Sequence, residues 1–121
     1  MELNHTIVPA YHKEAAANFF AKVFGLTYEG LSGHFAPVRV NDSLTMDFDD
    51  ASAEKIESHH YAFKVTDREF DDILSRLQAD RILYGSGPFS STDMRLNNML
   101  GGRGLYFTDL NGHSFEILTH G

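Results

Sequence analysis

The chain has 121 residues, of which 42% are hydrophobic and 22% are charged, a balance typical of one compact domain with its own core. Cysteine is absent, which excludes disulfides, thiolate metal sites and cysteine nucleophiles. The net charge of -7 and the scattered Lys and Arg residues argue against a nucleic-acid partner. The sequence has no membrane-spanning apolar stretch and no signal-peptide pattern, so we expect a cytoplasmic protein with a small-molecule partner and no membrane partner.

The first half of the chain predicts a strand, a helix and then further strands. The strand is expected over residues 3–8, and the helix over Lys13–Phe24, where Gly25 is a typical end. The apolar side of this helix is formed by Ala16, Phe19, Phe20, Val23 and Phe24.

The second half predicts the same order of elements. A strand is expected over residues 60–65 and a helix over Asp67–Ala79, which begins with the capping-box spacing of Thr66 and Glu69. The inward side of this helix is formed by Phe70, Ile73, Leu74 and Leu77. The segments after both helices are extended and broken by Gly, Asn and Asp, as in strands joined by turns.

The two halves match residue by residue. Residues 4–8 and 59–63 each carry a His ahead of a helix, and residues 38–48 parallel residues 105–118, which aligns Asp47 with Glu116. Such a repeat indicates two similar modules that pack together. We therefore predict an α+β fold of two tandem βαβββ modules forming a curved mixed sheet, a half-barrel cup with helices on its outer face. The single domain spans residues 1–121, with half-modules at about 1–50 and 57–121 and a linker over 49–58.

Strand alternation sorts polar side chains onto the concave face of this sheet. Large apolar residues occupy every second position of the later strands and are expected to face the helices. The residues between them are therefore predicted to face the concavity: His60, Asp47, Tyr106 and Glu116.

A concave face that gathers imidazole and carboxylate groups indicates a divalent cation, which would compensate the charge of the carboxylates. Two imidazoles and one carboxylate leave coordination positions open for substrate, and Fe, Mn, Ni, Zn and Co all suit this donor set. A single strand His is more often structural, and a strand Glu more often faces solvent, so only their joint occurrence favours a metal. No role is assigned to His12, His34, His59, His113 and His120.

Three segments resemble the vicinal oxygen chelate superfamily, which includes glyoxalase I, bleomycin-resistance proteins and extradiol dioxygenases. They are Asn-His-Thr-Ile-Val at 4–8, His-Tyr-Ala-Phe-Lys-Val at 60–65 and Gly-Leu-Tyr-Phe-Thr-Asp-Leu-Asn-Gly-His-Ser-Phe-Glu-Ile at 104–117. The resemblance implies that His5, His60 and Glu116 bind one divalent metal per site. Asp47 is a possible fourth ligand, where members with four ligands carry Glu. It also implies a homodimer, because small members commonly build each site from two chains.

The resemblance implies a divalent-metal-dependent enzyme whose metal chelates vicinal oxygens of a small substrate, with Glu116 as the catalytic carboxylate. A lyase, isomerase or thiol transferase is favoured over a dioxygenase, because extradiol enzymes generally have longer chains. Arg95 and Arg103 are candidate substrate contacts because residues 85–104 are rich in glycine and either form a lid or simply connect two strands. Tyr106 is a further candidate because it is predicted to face the concavity. The alternative is a non-catalytic protein that binds and sequesters a drug or metabolite.

Overall fold

A computed structural model of the chain describes all residues from Met1 to Gly121. The chain divides into two compact units, Met1–Ile56 and Glu57–Gly121. Each unit contains one helix and an open three-stranded mixed sheet. The predicted α+β class and the two-module organisation are therefore confirmed.

The first unit consists of β1 (His5–Ala10), α1 (Lys13–Phe24), β2 (Ala36–Arg39) and β3 (Thr45–Asp50). Its sheet has the order β1-β3-β2, with β1 parallel and β2 antiparallel to the central strand. The helix packs on this sheet through Phe20, whose ring centroid lies 5.6 Å from that of Phe48. The helix ends as predicted at Gly25, which has a φ of 70° and donates its N–H to the Ala21 carbonyl.

The second unit consists of β4 (His60–Lys64), α2 (Asp67–Ala79), β5 (Gly104–Thr108) and β6 (Ser114–Leu118). Its sheet has the order β4-β6-β5, with the same pattern of parallel and antiparallel neighbours. The predicted capping box is present: the Glu69 N–H donates to the Thr66 hydroxyl at 3.1 Å, and the Thr66 N–H donates to the Glu69 carboxylate at 2.9 Å.

One strand of each predicted βαβββ module is reduced to a single bridge. In the first unit this bridge joins Tyr28 to Val38, and in the second it joins Gly85 to Tyr106. Gly30, with a φ of 103°, interrupts the extended backbone after the first bridge. Pro88 follows the second bridge and cannot donate a ladder hydrogen bond.

The first strand lies two residues later than predicted. Leu3 is exposed, whereas Pro9 and Ala10 continue the pairing with β3. Their partners are Asp49 and Asp50, so β3 reaches into the segment predicted as a linker. Backbone pairing at these two acidic residues therefore outweighs their low strand propensity.

Residues 85–104 are tied together by hydrogen bonds. The Asp93 carboxylate accepts the N–H groups of Ser86 and Arg95, each at 2.9 Å, and also accepts the Ser86 hydroxyl. The bond from this hydroxyl is the main reason why the pKa of Asp93 is lowered. A backbone pair between Asn97 and Gly104 closes the segment. It is therefore an ordered succession of turns in this structure.

Both helices are short, and α2, the longer one, has 13 residues. Neither helix has the length and apolar character needed to cross a membrane.

We predict that Gly85→Ala destabilises the protein strongly, whereas Gly87→Ala does not. A Cβ atom at Gly85 would lie 1.8 Å from the backbone oxygen of Ser90, while one at Gly87 would meet nothing within 4 Å. Forcing an atom into such a position typically costs about 1–3 kcal/mol. Urea denaturation of both variants measures the difference. Equal midpoints for the two variants would contradict this account of Gly85.

Candidate metal centre

The register of the second unit brings three of the predicted site residues to one face. Ala62 of β4 and Tyr106 of β5 both lie opposite Glu116 of the central strand. His60 is two residues before Ala62 and therefore points to the same side. The opposite side carries the buried residues Leu105, Phe107, Phe115 and Ile117.

The His60 and Glu116 side chains are in direct contact. The His60 Nε2 lies 3.1 Å from the Glu116 Oε1, and the His60 Nδ1 lies 3.3 Å from the Ser114 hydroxyl. The His60 side chain is 49% exposed and that of Glu116 is 12% exposed. A solute can thus reach the imidazole, while the carboxylate is largely shielded.

Tyr106 completes this cluster. It is buried, its ring stacks on that of His60 with 5.9 Å between centroids, and its hydroxyl is hydrogen-bonded to Glu116. Burial, and secondly the bond to Glu116, raise the pKa of Tyr106. The phenol therefore remains protonated at neutral pH and donates to the carboxylate.

The spacing of the two donor atoms fits a metal ion. Two donors that each lie about 2.1 Å from one cation are roughly 3.0 to 3.4 Å apart at octahedral to tetrahedral angles. The observed separation of 3.1 Å between His60 Nε2 and Glu116 Oε1 falls in this interval. This separation is also that of the hydrogen bond between the two side chains, so it is compatible with a shared metal ion.

The first unit repeats this arrangement with its own residues. His5 pairs with Thr45 as His60 pairs with Ser114, so the two histidines occupy equivalent positions. Asp47 lies opposite Ile7 and Pro37, which is the position of Glu116 in the second unit. The residue-level repeat between the two halves is therefore present in the sheet register.

The His5 ring is oriented by its neighbour. Its Nδ1 lies 2.8 Å from the side-chain oxygen of Asn4, which can only accept, so Nδ1 is the donor in this contact. A hydrogen bond of this type fixes the tautomer of metal-binding histidines. Neither unit gathers three His, Asp or Glu side chains into a group that could hold a metal.

The two arginines proposed as substrate contacts have different environments. The Arg103 guanidinium lies 2.6 Å from Asp71 and 3.1 Å from Asp67, and 4.4 Å above the ring of Phe70. The bond to Asp71 is the main reason why the pKa of Arg103 is raised. The Arg103 guanidinium is thus paired with two carboxylates of α2, whereas Arg95 is exposed.

A small pocket with a volume of about 10 Å³, room for about one water molecule, borders the Glu116 side chain. Its other lining residues are Asn97, Met99, Leu100, Gly102, Arg103, Leu118 and His120. Met99 and Leu100 are exposed, so the surface beside the carboxylate is largely apolar.

His113, for which the sequence predicts no role, is fully buried. Its Nδ1 accepts the backbone N–H of His59 at 3.0 Å. Its place in the turn that leads into β6 was the only sequence signal. The contact itself was not predictable, because it joins residues far apart in the chain.

No family model matches the sequence. Among solved structures, the oxidase ChaP-H2 is 39% identical with a TM-score of 0.93, over 100% of this chain and 94% of that chain. The oxidase ChaP-H1 is also 39% identical with a TM-score of 0.93, over 100% of this chain and 97% of that chain.

A more distant structure shares the fold. A mutant of the fosfomycin resistance protein FosX from Listeria monocytogenes, complexed with Mn(II) and a dihydroxypropylphosphonic acid, is 18% identical with a TM-score of 0.70. The match covers 99% of this chain and 90% of that chain. From the full-length matches at 39% identity and this shared fold, the chain belongs to the vicinal oxygen chelate superfamily.

Proposed function

We propose that this protein is a metal-dependent oxidase that uses dioxygen as the electron acceptor and acts on a small organic substrate presenting two adjacent oxygen atoms. The observation that carries the proposal is the pair of donor atoms, His60 Nε2 and Glu116 Oε1, held 3.1 Å apart on the open face of the second sheet. The two relatives at 39% identity are both named oxidases, which favours oxidation over the lyase or transferase reactions preferred from the sequence.

The proposed ligands are His5, His60 and Glu116. Two histidines and one carboxylate bind one side of a metal and leave positions open, the donor set of non-haem Fe(II) oxygenases. We therefore propose Fe(II) as the native metal, ahead of Mn, Ni, Zn and Co. Asp47 is the candidate fourth ligand, because it has the register position in the first unit that Glu116 has in the second.

The proposed assembly is a homodimer in which each metal site takes His5 from one chain and His60 with Glu116 from the other. This arrangement supplies a third ligand to the His60–Glu116 pair, since neither unit by itself offers three.

When bound, the metal would chelate both substrate oxygens and stabilise negative charge on them. The side chains around it have separate tasks. The Tyr106 hydroxyl donates to Glu116 and so fixes the direction of the carboxylate. If substrate binding displaces Glu116, its free oxygen can accept a proton from a substrate hydroxyl. The apolar surface at Met99 and Leu100 limits the access of water to Glu116.

Metal retention tests the ligand set. Untagged protein is expected to bind about one divalent ion per chain, and His5→Ala, His60→Ala and Glu116→Ala are expected to lose it because each removes a ligand. Elemental analysis and the shift of Tm on metal addition are the measurements, since a bound ion stabilises the folded state. The Asp47→Ala variant distinguishes three ligands from four.

His12→Ala is the matched control for these substitutions. His12 is exposed and its side chain does not cap α1, so its removal should leave metal binding unchanged. Wild-type protein that neither retains nor responds to any divalent ion would refute the metal site and favour the sequestering alternative.

The oxidase class has its own test. Protein loaded anaerobically with Fe(II) should bind nitric oxide, a probe of an open coordination position, and give an Fe–NO signal in electron paramagnetic resonance. The Glu116→Ala protein should give no protein-bound signal. An iron-loaded wild type that fails to bind nitric oxide would favour a lyase or transferase instead.

Mixed dimers test the shared site. If each site spans two chains, a dimer of one His5→Ala chain and one Glu116→Ala chain contains one intact site and one site with both substitutions. Isolated through two different affinity tags, with the tags then removed, this dimer should retain one metal, whereas the parental dimers retain none. A mixed dimer that binds no metal would show that all ligands come from one chain.

A further inference from the structure

The turn between β5 and β6 places a buried imidazole at the edge of the candidate metal centre. The Asp109 carboxylate accepts the N–H groups of Asn111 and His113, each at 2.9 Å, and Gly112 has a φ of 82°. These contacts direct the His113 ring inward, where it is 0% exposed and meets the Tyr61 ring edge-on at 5.9 Å.

The buried imidazole is bonded to the strand that carries His60. The His113 Nδ1 accepts the His59 N–H at 3.0 Å, and the Ser114 N–H donates to the His59 carbonyl at 2.9 Å. Both backbone polar groups of the residue before His60 are thus bonded to the start of β6. The chain turns away at Gly112, so the imidazole provides the acceptor that a continuing strand would have supplied.

The first unit shows that the fold does not require this imidazole. There the Thr45 N–H donates to the Asn4 carbonyl at 3.0 Å, the counterpart of the bond between Ser114 and His59. The position equivalent to His113 is occupied by Leu44, whose side chain has no acceptor. The additional bond is present only next to the histidine that contacts Glu116.

We infer that His113 is a positioning residue for His60, which it holds in place by accepting the His59 N–H. The inference rests on the proposed metal site. An Nδ1 that accepts this bond carries no proton, so the His113 ring is neutral with its proton on Nε2. With the strand end fixed, the His60 backbone is held opposite Ser114, the position from which its Nε2 reaches Glu116.

The test compares His113→Leu with His113→Asn. The Asn side-chain oxygen can take the place of Nδ1 and keep the acceptor, whereas Leu removes it. Titration with Co(II), followed by visible absorption, should show that His113→Leu weakens binding roughly 10- to 100-fold, the range for lost outer contacts of a metal ligand. His113→Asn should restore most of the affinity.

A control and a metal-free measurement separate positioning from general destabilisation. Ile73→Val shortens a buried side chain of α2 and should leave Co(II) affinity unchanged. Without metal, the His59 amide should exchange slowly in wild type and His113→Asn, and fast in His113→Leu. The imidazole ¹⁵N shifts should show His113 protonated on Nε2.

Wild-type affinity in a folded His113→Leu protein, or a His113 ring protonated on Nδ1, would overturn the inference. If His113→Leu does not fold, His113→Gln takes its place: its acceptor lies near Nε2 rather than Nδ1, so equal affinity of Gln and Asn variants would also overturn it. Wild type that binds no Co(II) would instead refute the proposed metal site, while the His59 exchange rate still decides the hydrogen-bond role.

Discussion

The parallel pairing of β4 with β6 is the constraint on which the candidate centre depends. Side chains alternate along a strand, so a slip of one residue would bury Glu116 and expose Phe115. The packed aromatic row beneath the sheet excludes that slip, since the ring centroids of Phe107 and Phe115 are 5.6 Å apart. Once this register is fixed, His60 and Glu116 share one face of neighbouring strands, about 4.8 Å apart in backbone spacing.

Local patterns predicted the helices and the sheet face of His60, Asp47 and Glu116. The bounds of α1 and α2 follow from apolar spacing, from Gly25 and from the capping box at Thr66, all of which act within a few residues. The alternation of apolar and polar residues in β6 is also a local pattern, and it placed Glu116 on the open face of the sheet. The ends of β1 were less predictable, because whether Pro9 joins the sheet depends on a partner strand far along the chain.

The rest of the centre depends on contacts that no local pattern contains. Arg103 was a candidate substrate contact from the sequence, and the structure adds that two carboxylates of α2 lie within bonding distance of its guanidinium. His113 was left without a role, although it bonds to a residue 54 positions away. The reaction itself lies beyond both sequence pattern and fold, because one scaffold supports many chemistries.

The hydrogen bond between His60 and Glu116 has a consequence for how a cation would be acquired. The chain holds both donor atoms at coordination spacing through its own contacts, with Tyr106 and Ser114 supporting them. A cation arriving here would meet two donor atoms that already lie close together, so little side-chain ordering would oppose its binding to them. A preformed pair of donors adds little discrimination among first-row divalent ions of similar size beyond their general order of intrinsic affinity. Which metal occupies the site in the cell would then depend on the free concentrations of the competing metal ions.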